Sequence, residues 1–138
     1  MKFLATIIFI LSCLFSHAQS GDKYKHAVDS LLKIKPTGDV IVFLQEELKQ
    51  KPKDESLLRW IGYLYVSDNQ LDLGEKYYKD ALTWNPSCSR CYTNLGRIAA
   101  IRKDFQNALE LLNKSLQIDP SDATTHQIRA SVKAGSND

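Results

Sequence analysis

Residues Glu55–Pro86 read ESLLRWIGYLYVSDNQLDLGEKYYKDALTWNP. The stretch closes on a proline with counterparts at equal distance on both sides: Pro52, Pro86 and Pro120 are each 34 residues apart. A fixed period of about 20–50 residues marks a repeat architecture, in which each unit buries its apolar face against the next. Within the stretch, Leu58, Ile61, Gly62 and Tyr65 fall at the spacing of one helical face. Ser67-Asp68-Asn69-Gln70 is a polar turn, and Asn69 is suited to a left-handed backbone because its short side chain can bond locally. Gly74, Tyr78, Ala81 and Leu82 then mark a second helix. The small residues stand where the two helices would touch. Pro86 has no amide donor and cannot continue that helix.

The pattern continues in both directions. Downstream, Tyr92, Leu95, Gly96 and Ala99 form one face, and Ala108, Leu112, Ser115 and Leu116 a second, closed by Asp119-Pro120. Gly62 matches Gly96, Gly74 matches Ala108, and Tyr78 matches Leu112. Upstream, residues 21–54 are a looser copy. Tyr24, Ala27, Val28, Leu31 and Leu32 give one apolar face, Lys35-Pro36-Thr37-Gly38 breaks it, and Asp39 is placed to cap a second helix running through Leu44 and Leu48. Val40-Ile41-Val42-Phe43-Leu44 has the composition of a strand. Its phase is that of the downstream helices, so it is read as helix. After Pro120, Ser121 or Asp122 can cap a last helix with Thr124, Ile128 and Val132 on one face and His126, Arg129 and Lys133 elsewhere. A helix apolar on one side only suits the end of an array.

These residues resemble the tetratricopeptide repeat: a large residue, Leu-Gly or its equivalent, an aromatic, a small residue, another aromatic, another small residue and a closing proline. Two good copies span 55–88 and 89–122, a degenerate copy spans 21–54, and 123–138 is a capping helix and tail. The degenerate copy departs from the pattern at Val28, where glycine is usual, and at Glu47, where a small residue is usual. The resemblance implies an all-α fold: a short right-handed α-solenoid of about three helix-turn-helix repeats with a concave groove. It also implies a non-catalytic scaffold or adaptor that binds a partner peptide or protein in that groove.

The first 18 residues stand apart. Lys2, the apolar run Phe3–Phe15 and Ser16-His17-Ala18 have the order of a signal peptide, with cleavage after Ala18 leaving Gln19 at the mature N-terminus. The run is shorter than the roughly 20 residues of a membrane span. A lipid anchor on Cys13 fits less well, because that residue lies inside the run. The expected location is therefore exported, periplasmic or secreted. The remaining chain keeps two cysteines, Cys88 and Cys91, and an even count in an oxidising compartment favours a disulfide.

Composition narrows the function further. Basic and acidic residues nearly cancel, 18 against 16, for a net charge of +2. That is no nucleic-acid footprint. There is no glycine-rich phosphate loop, no HExxH and no nucleophile elbow, so neither an enzyme, a cofactor nor a small-molecule substrate is expected. Cys88-Ser89-Arg90-Cys91 opens a helix, where cysteines three apart are neighbours. A structural disulfide, a quiescent reduced pair, redox chemistry and metal binding are all open to it. A helix N-terminus and Arg90 would lower a thiol pKa. Zinc would need further ligands, and His26 and His126 stand alone. Haem attachment would need histidine where Tyr92 stands.

Binding falls to residues the repeat signature leaves free. On the first helix of each unit these are Asp22, Lys25 and Asp29; Arg59, Tyr63 and Val66; and Arg90, Asn94 and Arg97. Arg59, Tyr63, Arg90, Asn94 and Arg97 are the candidate peptide-binding set, since arginine can grip carboxylates bidentately. Trp60 and Trp84 are further candidate contact points. Some members of the family clamp the acidic C-terminus of a chaperone with set lysine, asparagine and arginine positions. Lys25 and Arg90 match that set, whereas Asp29, Trp60 and Asn94 do not, so that particular function is not implied. With about three repeats, self-association through an end helix is a further expectation.

Overall fold

The computed structural model describes residues 23–136. The signal-like segment, its cleavage site and Cys13 lie outside these residues, as does Asp22. Among the described residues seven helices follow in order: α1 Lys25–Leu32, α2 Thr37–Gln50, α3 Glu55–Ser67, α4 Leu71–Trp84, α5 Ser89–Ile101, α6 Phe105–Ile118 and α7 Ala123–Gly135. None is long and apolar enough to cross a membrane. Successive helices pack as hairpins, most extensively α3 on α4 and α5 on α6. In addition α3 meets α5, and α5 meets α7. The odd-numbered helices therefore form one layer and the even-numbered helices the other, which is an α-solenoid.

Glycine sets the spacing inside each good hairpin. A Cβ at Gly62 would lie 3.2 Å from the Gly74 carbonyl oxygen, and a Cβ at Gly96 only 2.8 Å from Leu112 Cγ. The turn between the paired helices is also repeated. Asn69 has φ 58° and Lys103, 34 residues on, has φ 63°. Asparagine tolerates this left-handed backbone; lysine carries its full steric cost. The tight corner that closes α5 onto α6 holds it there.

The strand-like segment in the degenerate unit is helical, and packing explains why. Val40, Ile41 and Leu44 are buried against Tyr24, Val28 and Leu31 from the α1 segment and Leu57, Trp60, Ile61 and Leu64 of α3. Burying each such side chain contributes about 1.5–3 kcal/mol, well above the few tenths by which β-branched residues disfavour a helix. Val28 has no exposed surface despite standing where the repeat usually has glycine.

Two expectations about helix starts need correction. Asp39 does not cap α2: the helix begins at Thr37 with Pro36 in the cap position, and Asp39 lies in its first turn. Proline presets the backbone for this entry (φ −58°), and the carboxylate faces the positive end of the helix instead. In α7 the buried threonine is Thr125, whereas Thr124 is exposed. Asp122 caps α7 by accepting from the Thr124 amide and also accepts from the Thr125 hydroxyl at 2.6 Å. Thr125 Oγ1 lies 2.6 Å from Thr93 Oγ1, which is 2.7 Å from Ser115 Oγ. This buried hydroxyl chain ties α5, α6 and α7 together.

Candidate functional site

The inner layer is built from α1, α3, α5 and α7, and its chemistry gathers between α3 and α5. Tyr78 rises from α4 into this space. Its side chain is fully buried, and among the described residues its hydroxyl has no hydrogen-bond partner. Burial pushes the phenol above its ordinary range; the Arg97 and Arg59 guanidiniums pull it back, and Tyr63 adds to the rise. The phenol thus lies within the field of three of the five candidate residues, although it belongs to the packing signature.

Those residues are not equally available. Tyr63 is exposed and meets Trp60 edge-on, with ring centroids 5.5 Å apart. Arg97 is half-buried, and among the described residues no carboxylate lies within ion-pair distance of it. Arg90 is exposed, and its charge helps hold the Asp122 carboxyl below its ordinary range. Asn94 donates its side-chain amide to the Arg90 carbonyl at 2.8 Å, so that group is engaged within its own helix. Arg59 departs from expectation. It is 8% exposed, its Nε donates to Glu55 Oε1 at 3.2 Å, and its guanidinium sits 5.7 Å from the Trp60 ring centroid. One turn of α3 supplies the carboxylate that draws it down, so Arg59 is not an open groove residue. On α1, Lys25 pairs with Asp29 at 2.7 Å. Trp60 is buried, whereas Trp84 is half exposed with Lys53 Nζ 4.8 Å from its ring centroid.

The cysteine corner closes the inner layer between α3 and α5. Cys88 is the N-cap of α5, and its sulfur accepts from the Cys91 amide at 3.1 Å. The Cys88 and Cys91 sulfurs are placed 2.05 Å apart, at bonding distance, and both residues are buried. Glu55 Oε1 approaches Cys88 Sγ to 3.2 Å and Cys91 Sγ to 3.9 Å. Bonded sulfurs carry no proton, so these are contacts rather than hydrogen bonds. Sequence reasoning missed Glu55. The only signal was its position 33 residues before Cys88, close to one repeat length, which brings the start of one unit beside the start of the next.

Residues 59–88 and 89–122 each match a family model described as tetratricopeptide repeat. These residues are tetratricopeptide repeats. Both matches lie after the degenerate unit. No curated protein matches the chain. Solved tetratricopeptide-repeat structures do. The first such domain of Spaghetti (RPAP3), bound to the HSP90 peptide SRMEEVD, has TM-score 0.74 at 13% identity, covering 83% of this chain and 90% of that one. The second domain of human RPAP3, in complex with the HSP70 peptide SGPTIEEVD, has TM-score 0.70 at 14% identity, covering 79% and 91%. The Sgt2 domain from Aspergillus fumigatus has TM-score 0.74 at 17% identity, covering 88% and 83%. At such identities the likeness is one of fold.

Proposed function

We propose that this chain is a non-catalytic interaction module whose inner layer takes an extended peptide or protein segment carrying a carboxylate. The observation that carries the reading is Arg97: a half-buried cation with no ion-pair partner among the described residues, whose charge is felt by the buried Tyr78 phenol, as is the exposed Tyr63. Partial burial strengthens a charge-assisted bond to an incoming carboxylate, and a guanidinium can meet it with two parallel N–H donors. Two of the similar domains bear peptides that end in acidic residues. Here Lys25 is already paired with Asp29, and Trp60 and Asn94 occupy other clamp positions, so Arg97 defines a different register. The test is an array of extended peptides in which each Asp or Glu is compared with Asn or Gln. Acidic peptides are expected to be retained, and Arg97→Ala to weaken them at least about tenfold, equivalent to about 1.4 kcal/mol. If no peptide binds, or Arg97→Ala binds as well as the parent, the reading fails.

We further propose that the module works after export, cut between Ala18 and Gln19, with Cys88 and Cys91 joined as an inert cross-link. The rival reading, thiol–disulfide turnover with a partner protein, needs a sulfur that a protein thiol can reach, and at 6% and 0% exposed these two admit only a small reductant. The nearby Glu55 carboxylate would also oppose a thiolate. The intact mass of the protein recovered from an oxidising compartment reads both points. The expected mass begins at Gln19 and is two protons short of the dithiol; a mass retaining Met1 or both thiol protons removes the corresponding claim.

A further inference from the structure

We propose that, when reduced, Cys88 and Cys91 form a zinc site with Glu55. This site is separate from the peptide-binding reading and does not depend on it. One ligand atom from each of the three residues lies within 4.8 Å of the others. Zinc bonds of about 2.3 Å to sulfur and 2.0 Å to oxygen in a tetrahedron place ligand atoms roughly 3.5–3.8 Å apart. The carboxylate oxygen already stands 3.2 and 3.9 Å from the two sulfurs. Only the sulfurs must separate, by rotation of two side chains whose Cα atoms are 5.3 Å apart.

The surroundings also suit anionic ligands around a cation. The Cys91 amide donates to Cys88 Sγ; Cys88 is the N-cap of α5 and Cys91 lies in its first turn, where the helix N-terminus favours thiolates. Arg59 Nε holds Glu55 Oε1 at 3.2 Å, an outer contact of the kind that orients a ligating carboxylate. Two thiolates select a borderline-soft ion such as zinc over calcium or magnesium, which prefer oxygen. Three protein ligands leave the fourth position to water, entering beside the partly exposed Glu55 side chain.

The chemistry balances with a dithiol reductant. The Cys88–Cys91 bond breaks as the reductant becomes its own disulfide, transferring two electrons and two protons to give two thiols. Zinc then displaces those two protons as the thiolates bind. The corner therefore holds either the sulfur–sulfur bond or the metal.

Cobalt(II) is the spectroscopic probe. The full chain is reduced with dithiothreitol, desalted under argon, titrated with cobalt(II) and then with zinc. The expected result is one equivalent of cobalt with thiolate-to-metal charge transfer and tetrahedral d–d bands, bleached by zinc. Oxidised protein should give neither band. Glu55→Gln should weaken cobalt more than about tenfold, and Glu55→Asp should recover part of the loss. Helical circular dichroism verifies each variant's fold. The absence of a stoichiometric charge-transfer band in the reduced parent overturns the site. So does a folded Glu55→Gln protein that titrates like the parent, because the carboxylate is then no ligand.

Discussion

Replacing Asp54 by alanine is expected to destabilise the protein by about 2–4 kcal/mol, combining loss of a helix cap with loss of a buried hydrogen bond from Tyr24. One carboxylate oxygen accepts from the Ser56 and Leu57 amides and caps α3. The other accepts from Tyr24 Oη at 2.8 Å and Lys23 Nζ at 2.7 Å. Tyr24 is 2% exposed, and burial, helped by the Asp54 hydrogen bond and charge, pushes its phenol far above the ordinary range. That hydroxyl stays neutral and needs an acceptor, which Asp54 supplies. Removing the carboxylate takes this acceptor away and frays α3 at once. Asp54→Asn and Tyr24→Phe separate the parts: the first keeps a cap, and the second removes the donor with its need. Denaturant unfolding should place Asp54→Ala well below both, with a fall in Tm on the order of 10 °C. Equal midpoints for all three variants would mean that the bridge carries no weight.

The same residue fixes an acid dependence. Burial opposes the Asp54 charge, but the Lys23 and Tyr24 hydrogen bonds, the Lys23 charge and the Leu57 amide together outweigh it and hold its pKa below the ordinary value. A carboxylate whose pKa is lowered by folding binds fewer protons in the folded state than in the unfolded chain. Its contribution is complete above the unfolded pKa, about 3.9, and is lost as pH falls toward and through the lower folded pKa. Asp122 is shifted in the same direction: its hydrogen bonds from Thr125 and Thr124, with the Arg90 charge, overcome desolvation. Asp54→Ala should therefore flatten the acid limb of the stability profile without abolishing it.

Legibility in the sequence followed the range of the forces involved. Helix phases, polar turns and the closing prolines are local, and a 34-residue repetition read each of them several times over. The left-handed turn at Asn69 was legible from residue type, whereas Lys103 adopts it only because the hairpin around it demands that geometry. Long-range coincidences were not legible. Glu55 reaches the cysteines because one unit stacks on the next, and Tyr24 reaches Asp54 for the same reason. The spacing of Arg59 points to the groove, but a carboxylate one turn earlier and the Trp60 ring cover it. Tyr78 illustrates the converse: its ring belongs to the packing signature, yet its hydroxyl is left over at the inner layer, a distinction that residue type alone does not make.

Gly74→Ala is expected to destabilise the protein by about 1–3 kcal/mol through overpacking, although alanine is the better helix former by about 1 kcal/mol. A Cβ there would lie 2.4 Å from Val66 Cγ2 and 3.0 Å from the Gly62 carbonyl oxygen. Val66 is β-branched and on a helix, so its side chain is largely confined to one rotamer and cannot swing aside freely. The third unit carries the compensated solution: Ala108 replaces Gly74, and Ala100 stands 34 residues beyond Val66. A methyl is accommodated on one helix where the opposing valine has become alanine. The double variant Gly74→Ala/Val66→Ala should thus recover much of the single variant's loss, with a favourable coupling of about 1–3 kcal/mol in a double-mutant cycle. Val66→Ala alone should lose apolar contact, since Val66 also packs against the Tyr78, Leu95 and Ile98 cluster. Gly74→Ala at or above parental stability, or additive single effects, would show that the two hairpins reach the same spacing by some means other than this exchange.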